Sequence, residues 1–266
     1  MDNSLKRWER QYREAQEAGE QPFSLQPHPL VVQALDRVRI LTRHRPSAID
    51  VGAGTGRHAR ELARRGYYVL AVEGTHAAAD LRPDMPAAED TSIEWARADA
   101  YHWDPPYKVD VVLVAFFHER EHGIMRLLPR LKTWLTEGGW LVMVGHSRQQ
   151  VGRDVGGPPH ADALWDLEQM RKWMSEEGFE IADHREVEHL GKCRDNAAHT
   201  HPRKTGGQEG QVPASSEQVG TSSSGSGYGA GAADQVGASS SGSGPVAGAT
   251  PAGLAVTSIL VGKHLG

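Results

Sequence analysis

The chain has a single cysteine, so it can form no internal disulfide. It has no apolar run approaching the roughly 20 residues of a membrane-spanning helix. Positive charge is not in excess: 29 Lys and Arg stand against 34 Asp and Glu, for a net charge of −5. That balance excludes an electrostatic case for nucleic-acid binding. Met1 to Gly19 mixes Arg with several Glu and lacks an apolar stretch, so it resembles neither a signal peptide nor an acid-poor transit peptide. A cytoplasmic enzyme acting without nucleic acid or membrane is the expectation. Only 38% of the residues are hydrophobic and 30 are glycine, so part of the chain has too little to bury.

That part is the segment from 191 to 253, rich in Gly, Ser, Ala, Gln and Thr with almost nothing to bury. It carries an imperfect duplication, Glu217 to Gly227 recurring as Asp234 to Gly244. Such a tract cannot offset its ordering entropy and is expected to be a disordered insertion. It reads as a repeat expansion tolerated in a long loop, with a serine-rich regulatory tether as the alternative. The globular domain is then 1–190 plus 254–266.

Within that domain, helical and strand patterns alternate. Leu5, Trp8, Tyr12 and Ala15 have helical spacing. Leu30 to Leu41 predicts a second helix, ending before Pro46. Ala48–Val51, Tyr67–Val72, Ile93–Ala98 and Val109–Phe117 predict strands, the last buried on both faces. His58–Arg65 predicts a helix stopped by Gly66. The stripe Ile124, Leu127, Leu128, Leu131, Trp134, Leu135 predicts a helix, with Pro129 a kink and Gly138-Gly139 its end. Trp140–Val144 predicts strand 5, Leu164–Met174 a helix, Phe179–Val187 strand 6 and Leu254–Val261 strand 7. The expected fold is α/β: a doubly wound, Rossmann-like, seven-stranded sheet, mostly parallel. Strands 6 and 7 have no helix between them, so the last strand is expected to pair antiparallel.

The most informative run is Ala48-Ile-Asp-Val-Gly-Ala-Gly-Thr-Gly-Arg57. A short apolar strand carries Asp50, then glycines stand at 52, 54 and 56, then a helix starts. Glycine permits tight turns and close approach of a ligand to the backbone, and the helix start offers unpaired N–H groups. A dinucleotide fingerprint is Gly-x-Gly-x-x-Gly; here the third glycine comes one residue early. Asp50 would repel a pyrophosphate but suits a ligand with a cationic amine.

An acid, the glycine turn and a second acid, Glu73, at the end of the next strand resemble motif I of the class I S-adenosylmethionine-dependent methyltransferases. The resemblance implies S-adenosyl-L-methionine as cofactor. It implies that Asp50, Gly52, Ala53, Gly54, Thr55 and Gly56 form the turn around its amino-acid part. Glu73 would take the ribose hydroxyls, Gly74 and Thr75 would flank the adenine, Asp99 would bond the adenine amino group, and Ala100 would supply a backbone N–H. Ala115 and Phe116, at the end of strand 4, would lie beside the methyl group. Trp8-Glu-Arg-x-Tyr12, Gly56-Arg57, Phe117-His118, Val144-Gly145-His146 and Gly156-Gly157-Pro158 are similar to the tellurite-resistance type of small-molecule methyltransferase. Glu73-Gly74 and the serine-rich insertion depart from that pattern.

The expected reaction is methyl transfer to a small-molecule acceptor at N, O, S or a metalloid. Ligands bind at the carboxyl ends of the strands in such sheets, so His118 and His146 are the candidate catalytic groups. His58 is expected on a helix surface. Trp8 and Tyr12 either close over the cofactor or pack the first helix; Trp103 either edges the adenine or joins the core. Two alternatives stand beside this. One is a non-catalytic scaffold recruiting partners through the tract. The other is a zinc hydrolase, because His118-Glu119-Arg120-Glu121-His122 matches His-Glu-x-x-His. The charged inner residues argue against that, and no metal is expected.

Overall fold

The structure is a computed structural model that describes residues 3–41, 44–84, 86, 91–120, 123–153, 155–158, 160–190 and 254–266. The 191–253 tract, with His199 and His201, lies outside the described residues, as does His122. Among the described residues no helix is long and apolar enough to cross a membrane.

Seven strands form one sheet: β1 (Ser47–Val51), β2 (Tyr68–Glu73), β3 (Ile93–Arg97), β4 (Val109–Ala115), β5 (Leu135–His146), β6 (Phe179–Leu190) and β7 (Leu254–His264). Their order is β3-β2-β1-β4-β5-β7-β6. The first five are parallel, and β7 runs antiparallel between β5 and β6. The helices are α1 (Asn3–Ala18), α2 (Pro29–Leu35), α3 (Arg57–Arg64), α4 (Ala77–Asp80), α5 (Gly123–Trp134) and α6 (Leu167–Glu176).

Strand side chains alternate between two apolar layers. Ile49, Val51, Leu70, Val72, Val112, Val114, Leu141 and Met143 pack against Ile124, Leu127, Leu128 and Leu131 of α5 and against Met170 and Met174 of α6. Ala48, Val69, Ala71, Val111, Leu113, Val142 and Val144 pack against Val31, Ala34 and Leu35 of α2 and Ala59 and Leu62 of α3. The central strands are apolar on both faces because helices cover both faces. The doubly wound expectation holds.

Three boundaries differ from the periodicity, each for a local reason. α2 ends at Leu35, six residues early, because the Arg39 side chain takes the carbonyls of Asp36 and Val38; Leu41 is left fully exposed. α5 ends at Trp134, and Leu135 already pairs with Val109. Gly138 (φ +76°) then turns the chain before regular pairing resumes at Trp140. α6 starts at Leu167 because Asp166 caps it, its side chain accepting from the Gln169 N–H at 3.0 Å. β6 and β7 run longer than expected, to Leu190 and to His264, and Leu190 sits opposite Leu254 in register.

That register yields a testable outcome. Replacing 191–253 by a short hairpin turn closes β6 onto β7 across an existing pair. A long loop carries more closure entropy than a short one, by on the order of 1–2 kcal/mol here. The shortened protein is expected to melt at or above the parent's temperature and to bind cofactor equally well, by thermal unfolding and calorimetry. Unfolding of the shortened chain would make the tract part of the fold.

Candidate active site

All three glycines of the turn after β1 are left-handed: φ is +67° at Gly52, +56° at Gly54 and +87° at Gly56. A side chain there is strained by conformation and crowded by neighbours. A Cβ would come 2.5 Å from the Phe117 ring at 52, 2.6 Å from the Tyr12 hydroxyl at 54 and 2.6 Å from the Trp95 ring at 56. The turn is tied to β2: Ala53 N–H donates to the Val72 carbonyl at 3.0 Å, and Gly54 N–H to Glu73 Oε2 at 2.8 Å. Glu73 is buried, and its Oε1 accepts from both the N–H (2.8 Å) and hydroxyl (2.7 Å) of Thr75. The strand-end acid therefore fastens the glycine turn to the chain beyond β2.

Asp50 is 1% exposed, and its Oδ2 has no hydrogen-bond partner. Burial pushes its carboxyl up to about 7, against the pull of a backbone hydrogen bond and Arg57. This oxygen is the one polar group of the turn's carboxylates left to be satisfied from outside.

α1 lies across the turn. Tyr12 is 7% exposed and packs with Trp8 and Phe23 at ring separations of 6.0–6.4 Å. Leu5 abuts Gly74. Glu9 accepts from the N–H groups of His76 (2.6 Å) and Ala77 (3.2 Å) at the start of α4. Arg7 donates to the His118 carbonyl at 3.3 Å. Tyr12 thus packs α1 and covers the turn with the same side chain. Burial and the Glu73 carboxylate push its phenol above the ordinary range.

Beyond β3, Asp99 accepts from Tyr101 N–H at 3.0 Å and pairs with His102 at 2.8 Å. Ala100 is buried in the core. Trp103 lies edge-on to Trp134, centroids 5.4 Å apart, which places it with the core.

At the end of β4, Ala115 is buried and Phe116 takes φ +57°. A non-glycine residue there is unusual and costs about 1–3 kcal/mol. The Phe116 ring meets His28 at 4.7 Å, His146 at 5.2 Å and His58 at 6.4 Å. His189 stands 5.7 Å from His28. His58 is not on the surface: it is 4% exposed and accepts from the His28 N–H at 3.3 Å. The helical pattern misplaced it because the segment before α2 folds over that face of α3. Burial, then Arg57 and His28, lower its pKa well below 6.5.

His118 is buried with both ring nitrogens engaged. Its Nδ1 bonds the Ala163 carbonyl at 2.8 Å, so it carries the proton. Its Nε2 accepts from the His146 N–H at 3.1 Å. Burial and the neighbouring His146 lower its pKa to about 3. In this arrangement it has no nitrogen left for a metal, and among the described residues no group of three His, Cys, Asp or Glu could hold one. The second histidine of the zinc motif, His122, lies outside the described residues. His146 differs: its Nδ1 is buried without a partner. Burial lowers its pKa to about 4, opposed by Gln150.

The structure brings together the turn, Glu73, Phe116, His118 and His146. It adds His28, Trp95 and His189, which sequence reasoning passed over, and sets Arg57 and Phe117, quoted there only within motifs, against Phe116 and Gly52. For His28 a signal existed: His-Pro opening an apolar run is a helix start, and His28 indeed caps α2 through its Nδ1. For the aromatic residues none did, because they come from separate elements.

Residues 48–139 match a family described as "Methyltransferase domain". No curated protein matches the chain. Among solved structures it is similar to TehB from Haemophilus influenzae, at 12% identity and a TM-score of 0.50, over 90% of this chain and 62% of that one. It is also similar to the glycopeptide N-methyltransferase MtfA complexed with S-adenosylmethionine, at 13% identity and a TM-score of 0.47, over 58% and 84%. A third likeness is to an S-adenosylmethionine-dependent methyltransferase from Aquifex aeolicus, at 16% and 0.44, over 59% and 83%. At 12% identity the likeness to TehB shows the fold alone, a Rossmann-like α/β methyltransferase fold. Residues 48–139 match a methyltransferase domain, which makes the chain an enzyme, and S-adenosylmethionine is the cofactor that such domains use. The residues fit that cofactor: the turn leaves bare backbone where a Cβ would intrude, and Asp50 keeps a buried oxygen for a cationic amine.

Proposed function

We propose that this S-adenosylmethionine-dependent methyltransferase acts on a small-molecule acceptor bound at the carboxyl ends of β4, β5 and β6, against Phe116 and His146. The observation that carries the reading is the coincidence of two features: the bare glycine turn between Asp50 and Glu73, and, next to it, a partnerless buried His146 Nδ1. When bound, S-adenosylmethionine supplies an electrophilic methyl on a sulfonium. An N–H, O–H or S–H acceptor taking that methyl would release its proton through His146 Nδ1 to solvent. The protein's part is to orient the acceptor and exclude water.

Asp50 and the turn from Gly52 to Gly56 are assigned to the cofactor's amino-acid end. Glu73 and Asp99 are assigned to ribose and adenine, with Gly74, Thr75 and Ala100 beside them and Ala115 and Phe116 near the methyl. His146, neutral at pH 7, accepts a hydrogen bond from the acceptor's N–H or O–H through Nδ1. His118 acts through His146: its Nε2 holds the His146 backbone, so it is a positioning residue.

His146→Gln is expected to lower kcat by about 10²–10³-fold, the usual worth of a positioned acid–base group. S-adenosylhomocysteine affinity should stay within threefold. The assay is release of S-adenosylhomocysteine across a panel of small acceptors. Undiminished turnover in the variant would remove His146 from the reaction. Tight cofactor binding with no turnover on any acceptor would favour a non-catalytic scaffold.

A further inference from the structure

Arg57 directly follows the turn and opens α3. Its side chain enters none of the ion pairs or side-chain hydrogen bonds formed among the described residues. The guanidinium carries five N–H donors and is always charged. It lies 5.5 Å from the centroid of the Phe116 ring, on the ring that His28, His58 and His146 surround. Five segments of the chain contribute rings or a cation to this place: the start of α2, the start of α3 with both Arg57 and His58, and the ends of β4, β5 and β6.

The cluster has a definite hydrogen-bonding character. His28 Nδ1 accepts from Leu30 N–H at 3.2 Å, so the proton of the neutral ring sits on Nε2. His58 Nε2 accepts from His28 N–H, so its proton sits on Nδ1. Both rings therefore keep a donor beyond the bonds that position them. The carboxyl whose charge acts on Arg57 is Asp50, and it forms no ion pair with Arg57. His28, His58 and His146 are held neutral by burial, with the Arg57 charge as a further cause. The cluster thus carries one positive charge, N–H donors, and aromatic walls, and Phe116 spends backbone strain to be there.

We infer that Arg57 and the surrounding imidazoles form the subsite for a carboxylate on the methyl acceptor, which makes the acceptor an organic acid. This rests on the methyltransferase reading. The planar guanidinium fork matches a carboxylate, and the phenyl and imidazole faces suit an unsaturated or aromatic body beside it. The cofactor's own amino-acid end also carries a carboxylate, and the test separates the two sources.

Full-length protein saturated with S-adenosylhomocysteine is titrated calorimetrically with acetate, benzoate and inorganic phosphate, and with acetamide and benzamide as neutral counterparts. Benzoate is expected to bind at least tenfold more tightly than benzamide. In Arg57→Gln that preference should vanish while S-adenosylhomocysteine affinity stays within threefold. Arg57→Lys, which keeps the charge without the fork, should retain part of the preference and shows that the site survives substitution. Equal binding of benzoate and benzamide, no binding of either carboxylate below 10 mM, or phosphate binding as tightly as benzoate would overturn the organic-acid subsite. Loss of S-adenosylhomocysteine affinity in Arg57→Gln with the benzoate preference intact would assign Arg57 to the cofactor's carboxylate instead. Failure of the parent protein to bind S-adenosylhomocysteine would defeat the underlying methyltransferase reading, a different result from failure of the carboxylate subsite alone.

Discussion

Gly54→Val is expected to reduce S-adenosylmethionine affinity by more than 100-fold, about 3 kcal/mol. Two costs combine. At φ +56° a β-branched residue is a conformational outlier, worth about 1–3 kcal/mol of strain. The new Cβ would also stand 2.6 Å from the Tyr12 hydroxyl. Tyr12 has little room to yield, since it is packed among Trp8, Phe23, Ala77 and Ala78. Either the turn flattens or α1 lifts, and each alters the wall the cofactor lies against. The Gly54 N–H bond to Glu73 is lost if the turn flattens, so a fall in melting temperature should accompany the loss of affinity. Calorimetry with S-adenosylmethionine and S-adenosylhomocysteine checks the first effect and thermal unfolding the second; NAD should bind neither protein. A variant that binds either ligand within tenfold of the parent would mean that the turn does not line the cofactor site.

Asp50→Asn is expected to stabilise the free protein while weakening its hold on the cofactor. The buried Asp50 carboxyl is raised from its ordinary 3.8 to about 7. Below pH 4 it is protonated in both folded and unfolded chains, and nothing is lost. As pH climbs from 4 to 7 the unfolded chain ionises and the folded one resists, so stability falls. Above pH 7 the loss is complete, on the order of 4 kcal/mol at 1.36 kcal/mol per pH unit. Asn carries no such penalty. The variant should therefore unfold at higher denaturant than the parent at pH 8, and the advantage should fade toward pH 4. With the anion gone, cofactor affinity should drop by about 1.5–3 kcal/mol, the worth of a hydrogen bond to a charged group. The parent's affinity should also rise from pH 6 to 8 as Asp50 ionises, and the variant's should not. Denaturant titrations and calorimetry across that range test both halves. Equal stability at pH 8 would show that Asp50 bears no burial penalty; unchanged cofactor affinity would remove it from the site.

Much of the fold was legible because it rests on local signals. Val109 to Ala115 has apolar side chains apart from Asp110, which a strand needs only when helices cover both faces. Gly52, Gly54 and Gly56 announce left-handed backbone, and all three adopt it. Boundaries were less legible where a distant or side-chain bond decides them: Arg39 ends α2 early, and Asp166 delays α6. Periodicity carries no information about such bonds.

The histidines show the same division more sharply. His58 has the spacing of a surface position on α3, yet it is buried because the chain before α2 crosses it. His118 and His146 were equivalent on paper, both following strands of a parallel sheet. Only the packed structure separates them, by spending both nitrogens of His118 on Ala163 and His146 and leaving His146 Nδ1 unpaired.

By itself, the sequence determined the layered sheet, the glycine turn with its acids, and the tract set apart by composition, because hydrophobic period, positive-φ glycines and polarity are properties of neighbouring residues. The tertiary structure alone decided that Tyr12 covers the turn, that Glu73 fastens it, and that Arg57 joins three histidines around Phe116. Those contacts join residues far apart in the chain, and what unites them is the burial of the strand ends under α1 and the segment leading into α2, which no local pattern encodes.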